Sequence, residues 1–198
     1  MTFEEIEEAY ERLCAIVPSV ASTFRECSKD DNSGADPIYL VNSSEPCYDF
    51  DRVKLHYFKS GKSSVDSLLL VAHSQALYFI EFKNSRYKNF FESIPAKAED
   101  SLCIHQCVCN GNDISNQSNV FALVMSTEKN PDAITPVSAM MRNAGYFDQP
   151  SLLSSLSNEL KEAFETRCNG TPYAGNYLRF IVILSNDFDS FVSAITKH

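Results

Sequence analysis

The chain has 198 residues, 44% of them hydrophobic and 12% aromatic, which is enough apolar material for one packed core of ordinary domain size. Its formal net charge of −9 weighs against a general nucleic-acid coat, because non-specific binding needs a basic surface. No run approaches the roughly 20 apolar residues of a membrane span, the opening MTFEEIEEAYERL is acidic where a leader would be basic, and seven cysteines make an odd set, so a single cytoplasmic domain over residues 1–198 with reduced thiols and no membrane contact is expected.

Thr2 and Glu5 form a capping-box pattern, and Phe3, Ile6, Tyr10, Leu13 and Val17 recur at helical spacing as far as Pro18. A first helix is predicted there. Residues 28 to 37 read as a turn-rich loop, PIYLV as a short strand and RVKLHYFKS as an exposed strand. Residues Ser64 to Ser85, SVDSLLLVAHSQALYFIEFKNS, read as two strands joined by a turn at His73 to Gln75. Leu68, Leu70 and Ala72 share one face of the first strand, with Leu69 and Val71 on the other; in the second, Leu77 and Phe79 oppose Tyr78, Ile80 and Phe82. Strands apolar on both faces belong at the centre of a sheet covered by helices on both sides.

A helix over 94 to 109 follows, bracketed by Ser93, Pro95 and the stop signal Asn110-Gly111. NVFALVMS reads as a further buried strand, and residues 127 to 150 as irregular with one short helix. SLLSSLSNELKEAFETRCNG reads as a helix, YLRFIVILS as a last strand and the tail from Asp187 as a short amphipathic helix. The expected class is α/β, a mixed central sheet flanked by helices.

Within this apolar frame three charges stand out: Asp66, Glu81 and Lys83. Charges in buried strands cost several kcal/mol each unless they are paired, hydrated or bound to a metal. Glu81 and Lys83, two apart on a strand, point to the same side. Asp66 joins them only if the hairpin pairs residues whose numbers sum to an odd value such as 147, which sets it across from Glu81; a one-residue slip turns it to the opposite face. Two carboxylates held close together repel, and a hard divalent cation is the commonest way to keep both ionised. A lysine beside such an ion can hold a phosphate oxygen or orient the attacking water. Residues 52 to 97 carry eight Lys and Arg against three acids, so the basic side chains gather around this run while the rest of the chain is at −14.

Asp66, fourteen residues, then Glu81-Phe82-Lys83 at the end of an apolar strand, with helices before and after, resembles the PD-(D/E)XK, restriction endonuclease-like nuclease superfamily. The resemblance covers residues 1–126 and implies a three-layer αβββαβ core, with 127–198 a C-terminal elaboration made of a helix, a strand and a helix. It implies Mg²⁺, or Mn²⁺, held by Asp66 and Glu81, Lys83 assisting the attacking water, and nucleic acid as substrate, DNA before RNA. The family often adds an acid from its first helix, and Glu7, at the border of the apolar stripe, is the candidate. Arg86 and Lys88, just beyond Lys83, are candidates for contact with the phosphate backbone. Val65 stands where the family name has proline, and Glu-x-Lys recurs at Glu159 to Lys161 in a helical segment, so the strand context is what separates the two copies.

Three other readings compete. Asp66 and Lys83 could form a structural ion pair near a strand end. The acidic surface could meet a protein partner, or a second copy of the chain, in a noncatalytic module on the same scaffold. In CIHQCVC, residues 103 to 109, Cys103 and Cys107 can share a helix face, but His105 points elsewhere; buried thiols packed as small apolar residues account for it better than zinc.

Overall fold

A computed structural model of the chain describes residues 1–30, 36–112, 114, 117–133 and 152–197. Helix α1 (Phe3–Ile16) begins at the expected capping box, with Thr2 Oγ1 accepting from Glu5 N–H at 3.2 Å and the Glu5 carboxylate accepting from Thr2 N–H at 2.7 Å. It buries Phe3, Ile6, Ala9, Tyr10 and Leu13. Strand β1 (Ala21–Thr23), the single-turn helix α2 (Phe24–Cys27), β2 (Lys29–Asp30) and β3 (Ile38–Tyr39) come next. The PIYLV segment does contain a strand, but β3 pairs only with β2, in a two-stranded ribbon outside the main sheet.

Strand β4 (Pro46–Asp49) leads into helix α3 (Phe50–Tyr57), and here the expected exposed strand is overturned. The alternation in RVKLHYFKS is too short to decide between periods, and Asp49 decides it by capping the helix, its carboxylate accepting from Arg52 N–H at 3.0 Å. Phe50 and Val53, three apart, are buried, whereas Leu55 is 52% exposed, as one apolar stripe on a helix requires.

The hairpin of β5 (Ser67–Val71) and β6 (Ala76–Lys83) turns through a 3₁₀ turn at Ala72–Ser74 and Gln75, which takes a left-handed φ of 48°. Helix α4 (Ile94–Val108) ends at Asn110 and Gly111, both at positive φ as the stop signal predicts. Strand β7 (Ser118–Met125), helix α5 (Leu152–Cys168), β8 (Tyr177–Leu184) and helix α6 (Phe188–Thr196) complete the described chain. Of the short helix expected within 127 to 150, positions 134–150 lie outside the described residues.

Six strands form one mixed sheet in the order β1-β4-β5-β6-β7-β8, antiparallel as far as β6 and parallel from β6 to β8. The segment beyond residue 126 therefore extends the same sheet. Side chains of one parity along β5 and β6, including Leu68, Leu77 and Phe79, pack under α1, α3, α4 and α5. Those of the other parity, including Leu69, Val71, Tyr78, Ile80 and Phe82, pack under α2 and α6. The alternation read from the sequence assigns every one of these residues to its observed face.

Phe79 sits at the middle of the first face, fully buried, with the rings of Phe50, His105 and Tyr177 meeting it edge to face at 5.5 to 5.7 Å. Truncating it leaves a cavity that rings fixed by three separate elements fill poorly. Phe79→Ala should therefore cost about 3–5 kcal/mol in urea unfolding, with the slope of the transition unchanged.

Candidate active site

Ser67 pairs with Ile80 and Leu68 with Phe79, so hairpin partners sum to 147. One step beyond the last pair, Asp66 stands across from Glu81. The chain is fixed there by main-chain bonds, Asp66 N–H donating to Ile80 C=O and Phe50 N–H to Asp66 C=O, both at 3.1 Å. Strand β5 begins only at Ser67, which leaves the Phe82 N–H facing the place where a longer strand would pair. The Asp66 carboxylate takes that bond, Oδ2 accepting from Phe82 N–H at 2.5 Å.

Helix α4 holds the approach to Asp66. Asp100 accepts from Lys62 Nζ at 2.8 Å, from Ser63 N–H at 2.9 Å and from the Ser63 hydroxyl at 3.1 Å, and Ser101 Oγ accepts from Val65 N–H at 3.0 Å. These bonds lower the Asp100 pKa against the opposing effect of its burial. A third residue of the same helix, Lys97, lies one turn before Ser101 and reaches the site itself. Its ammonium donates to Glu81 Oε1 at 2.7 Å, and the Lys83 ammonium pairs with the same oxygen at 2.5 Å.

Glu81 is completely buried, while the side chains of Lys83 and Lys97 keep about a fifth of their surface in solvent. The other carboxylate oxygen, Oε2, is buried and accepts no hydrogen bond. Asp66 keeps part of its surface open, yet protein atoms crowd its carboxyl. Burial and then the neighbouring Glu81 charge push its pKa well up, against the pull of Lys97, the Phe82 N–H and Lys83. For Lys97, burial disfavours the charge, but Glu81 and Asp66 outweigh it and hold its pKa above the ordinary lysine value. Two acids and two bases thus meet at one end of the sheet, formally neutral as a set.

Comparison with protein-family models, curated proteins and solved structures finds no match to this chain.

Glu7 does not reach this cluster. Helix α1 starts over the hairpin turn, where Thr2, Phe3 and Ile6 line a cleft with Gln75 and Leu77, at the end of β6 opposite Glu81. Glu7 and Glu11 instead border a groove of about 490 Å³ floored by Cys47 and Leu68 to Leu70. A helical wheel gives the face on which Glu7 lies but not its level along the sheet, and the level is what excludes it. Among the described residues no group of three His, Cys, Asp or Glu is placed to hold a metal, so Cys103, Cys107 and Cys109 form no zinc site with His105. All seven thiols are free.

Arg86 and Lys88 are exposed just past the carboxyl end of β6 and line a small cavity of about 70 Å³ with Lys129 and Asn130. Asn130 is buried and brings the two loops together. Its Nδ2 donates to Ser85 C=O and Ser126 C=O at 3.0 Å each, and its Oδ1 accepts from Tyr87 N–H at 2.9 Å. Sequence reasoning assigned no role to Lys97, Lys129 or Asn130. Only Lys97 carried a signal, as the last member of the basic run from residue 52.

Proposed function

We propose that the chain is a metal-dependent nuclease of restriction endonuclease-like fold that hydrolyses phosphodiester bonds in nucleic acid, DNA in preference to RNA. The observation that carries this reading is the completely buried Glu81 carboxylate facing Asp66 across the hairpin, with Lys83 on the same oxygen as Lys97. Two acids brought together in a poorly hydrated place cost the fold stability even with two lysines beside them, and a site for charge development on a substrate explains that cost. The αβββαβ succession of that superfamily can be traced through α1, β4, β5, β6, α4 and β7 once β1, α2, β2 and β3, between α1 and β4, and α3, between β4 and β5, are taken as insertions.

The donor set suits one Mg²⁺ or Mn²⁺, because Glu81 Oε2 is a buried acceptor without a partner and Mg²⁺ is commonly held by one or two carboxylates with water completing its shell. Asp66 and Glu81 would hold the ion, which supplies Lewis-acid polarisation of the phosphate. The chain's own groups do the rest. Lys83 Nζ, held as an ammonium by Glu81, positions the attacking water and offsets the negative charge that develops as that water gives its proton up to solvent, while Arg86, Lys88 and Lys129 offer cations to the backbone phosphates beyond the site.

The test is cleavage of single-stranded, duplex and structured DNA and RNA with Mg²⁺ or Mn²⁺. Wild type should cut at least one of them, and Lys83→Ala should lose about 10²–10⁴-fold in rate while keeping its circular dichroism spectrum. Wild type that cuts none with either ion would favour the noncatalytic reading, a binding module on the same scaffold, to which the formally neutral charge set and the acidic chain also lend support.

A further inference from the structure

Counted by formal charge, Asp66 and Glu81 contribute two negative charges, and Lys83 and Lys97, both on Glu81 Oε1, two positive ones. A divalent ion entering this cluster would leave it at +2 in a poorly hydrated position, which opposes binding unless a cation withdraws or an anion arrives.

The two lysines are not equivalent. Lys97 makes the aligned hydrogen bond to Glu81 and lies within the field of both carboxylates. Lys83 approaches the same oxygen as an ion pair, with its ammonium 6.0 Å from the centre of the Phe90 ring. Lys97 also comes from α4, a separate element tied to the hairpin entrance through Asp100 and Ser101, so its ammonium is delivered to Glu81 by tertiary packing. Its side chain is 23% exposed, so part of it borders water.

We infer that the Lys97 ammonium occupies the cation position beside Glu81 and Asp66, and that a divalent ion binds firmly only when a nucleic-acid phosphate supplies the missing negative charge. The inference rests on the nuclease reading and deepens it. Lys97 is then a positioning residue that makes metal loading depend on substrate, and the free protein withholds its site from Mg²⁺ and Mn²⁺. Phosphate and metal affinities rise together, since coupling between two ligands is reciprocal.

The experiment is Mn²⁺ titration of the full chain by calorimetry and by the Mn²⁺ paramagnetic resonance signal, with and without a phosphorothioate DNA duplex that resists cleavage. Wild type alone should bind Mn²⁺ weakly, and the duplex should tighten binding roughly ten-fold or more. Lys97→Met should tighten Mn²⁺ binding by a similar factor without any DNA, whereas Lys97→Arg, which keeps the charge, should behave as wild type. Lys97→Gln is the second neutral variant, with thermal unfolding checking that each variant is folded.

Neutral variants that bind Mn²⁺ no better than wild type, or wild type indifferent to DNA, overturn the inference. If wild type still cleaves with metal in that case, the nuclease reading stands without it. Absence of both cleavage and Mn²⁺ binding in every variant sinks the two together.

Discussion

Asp66→Asn should yield a protein that melts higher than wild type and no longer cuts nucleic acid. The substitution keeps the size of the side chain and an oxygen that can accept from Phe82 N–H, so the bond that fixes the hairpin end survives. It removes one of two like charges from a crowded place. Burial and Glu81 raise the Asp66 pKa above that of an unfolded aspartate, so the native state is penalised for holding the carboxylate at pH values above the folded pKa. Relief of that penalty, tempered by the open part of the side chain and by the loss of attraction to Lys97 and Lys83, is worth about 1 kcal/mol, or roughly 2–4 °C in Tm for a chain of this size. Cleavage should fall by about 10³-fold or more. Thermal melts and rates measured on the same preparation decide the matter. A structural ion pair predicts the reverse for stability, since two lysines would then face a single acid, so lower stability in the variant would remove the case for a functional carboxylate pair.

The part of this site that could be read from the sequence is the part governed by period two. Once two adjacent apolar runs are recognised as strands, the parity of a hairpin fixes which side chains face together, and the pairing of Ser67 with Ile80 sets Asp66, Glu81 and Lys83 on the face shared with Leu68 and Phe79. Lys97 was illegible for a different reason. Its position four residues into α4 says nothing about where that helix crosses the sheet, which follows from Asp100 and Ser101 bonding to residues 62 to 65. Glu7 failed by the same gap, in the opposite direction. The helix α3 was hidden because Arg52 to Tyr57 alternates over too few residues, and the deciding residue, Asp49, lies before the pattern starts. Local periodicity thus carries the two faces of each strand and reduces the register to a choice of parity, while that choice and the axial placement of one element on another depend on contacts between elements.

One such distant contact makes stability depend on pH. His105 of α4 is completely buried between α1 and the loop before β7, with its Nδ1 2.9 Å from the Tyr10 hydroxyl and its Nε2 2.7 Å from Gln117 Oε1. An amide oxygen can only accept, so Nε2 carries the proton and Nδ1 accepts from Tyr10, which is the neutral ring. Burial pulls the pKa down to about 4, against a smaller upward pull from the Gln117 bond. An unfolded histidine titrates near 6.5, so above that value both states are neutral and stability is independent of this group. Below it the unfolded chain takes up a proton that the native ring refuses. Each unit of acidification then costs about 1.4 kcal/mol, reaching roughly 3 kcal/mol by pH 4. Urea unfolding of wild type and His105→Gln between pH 7 and pH 4.5 isolates this effect, because the carboxylates common to both proteins cancel in the difference. The variant should be the less stable at pH 7, by about 1–2 kcal/mol for the disturbed network, and the two curves should converge as the pH falls and cross at about pH 5. Parallel curves would mean that the ring already carries a proton in the native state. Since α4 also bears Lys97, Asp100 and Ser101, the helix that positions Asp66 and clamps Glu81 is packed through a ring whose burial makes the whole fold less stable in acid.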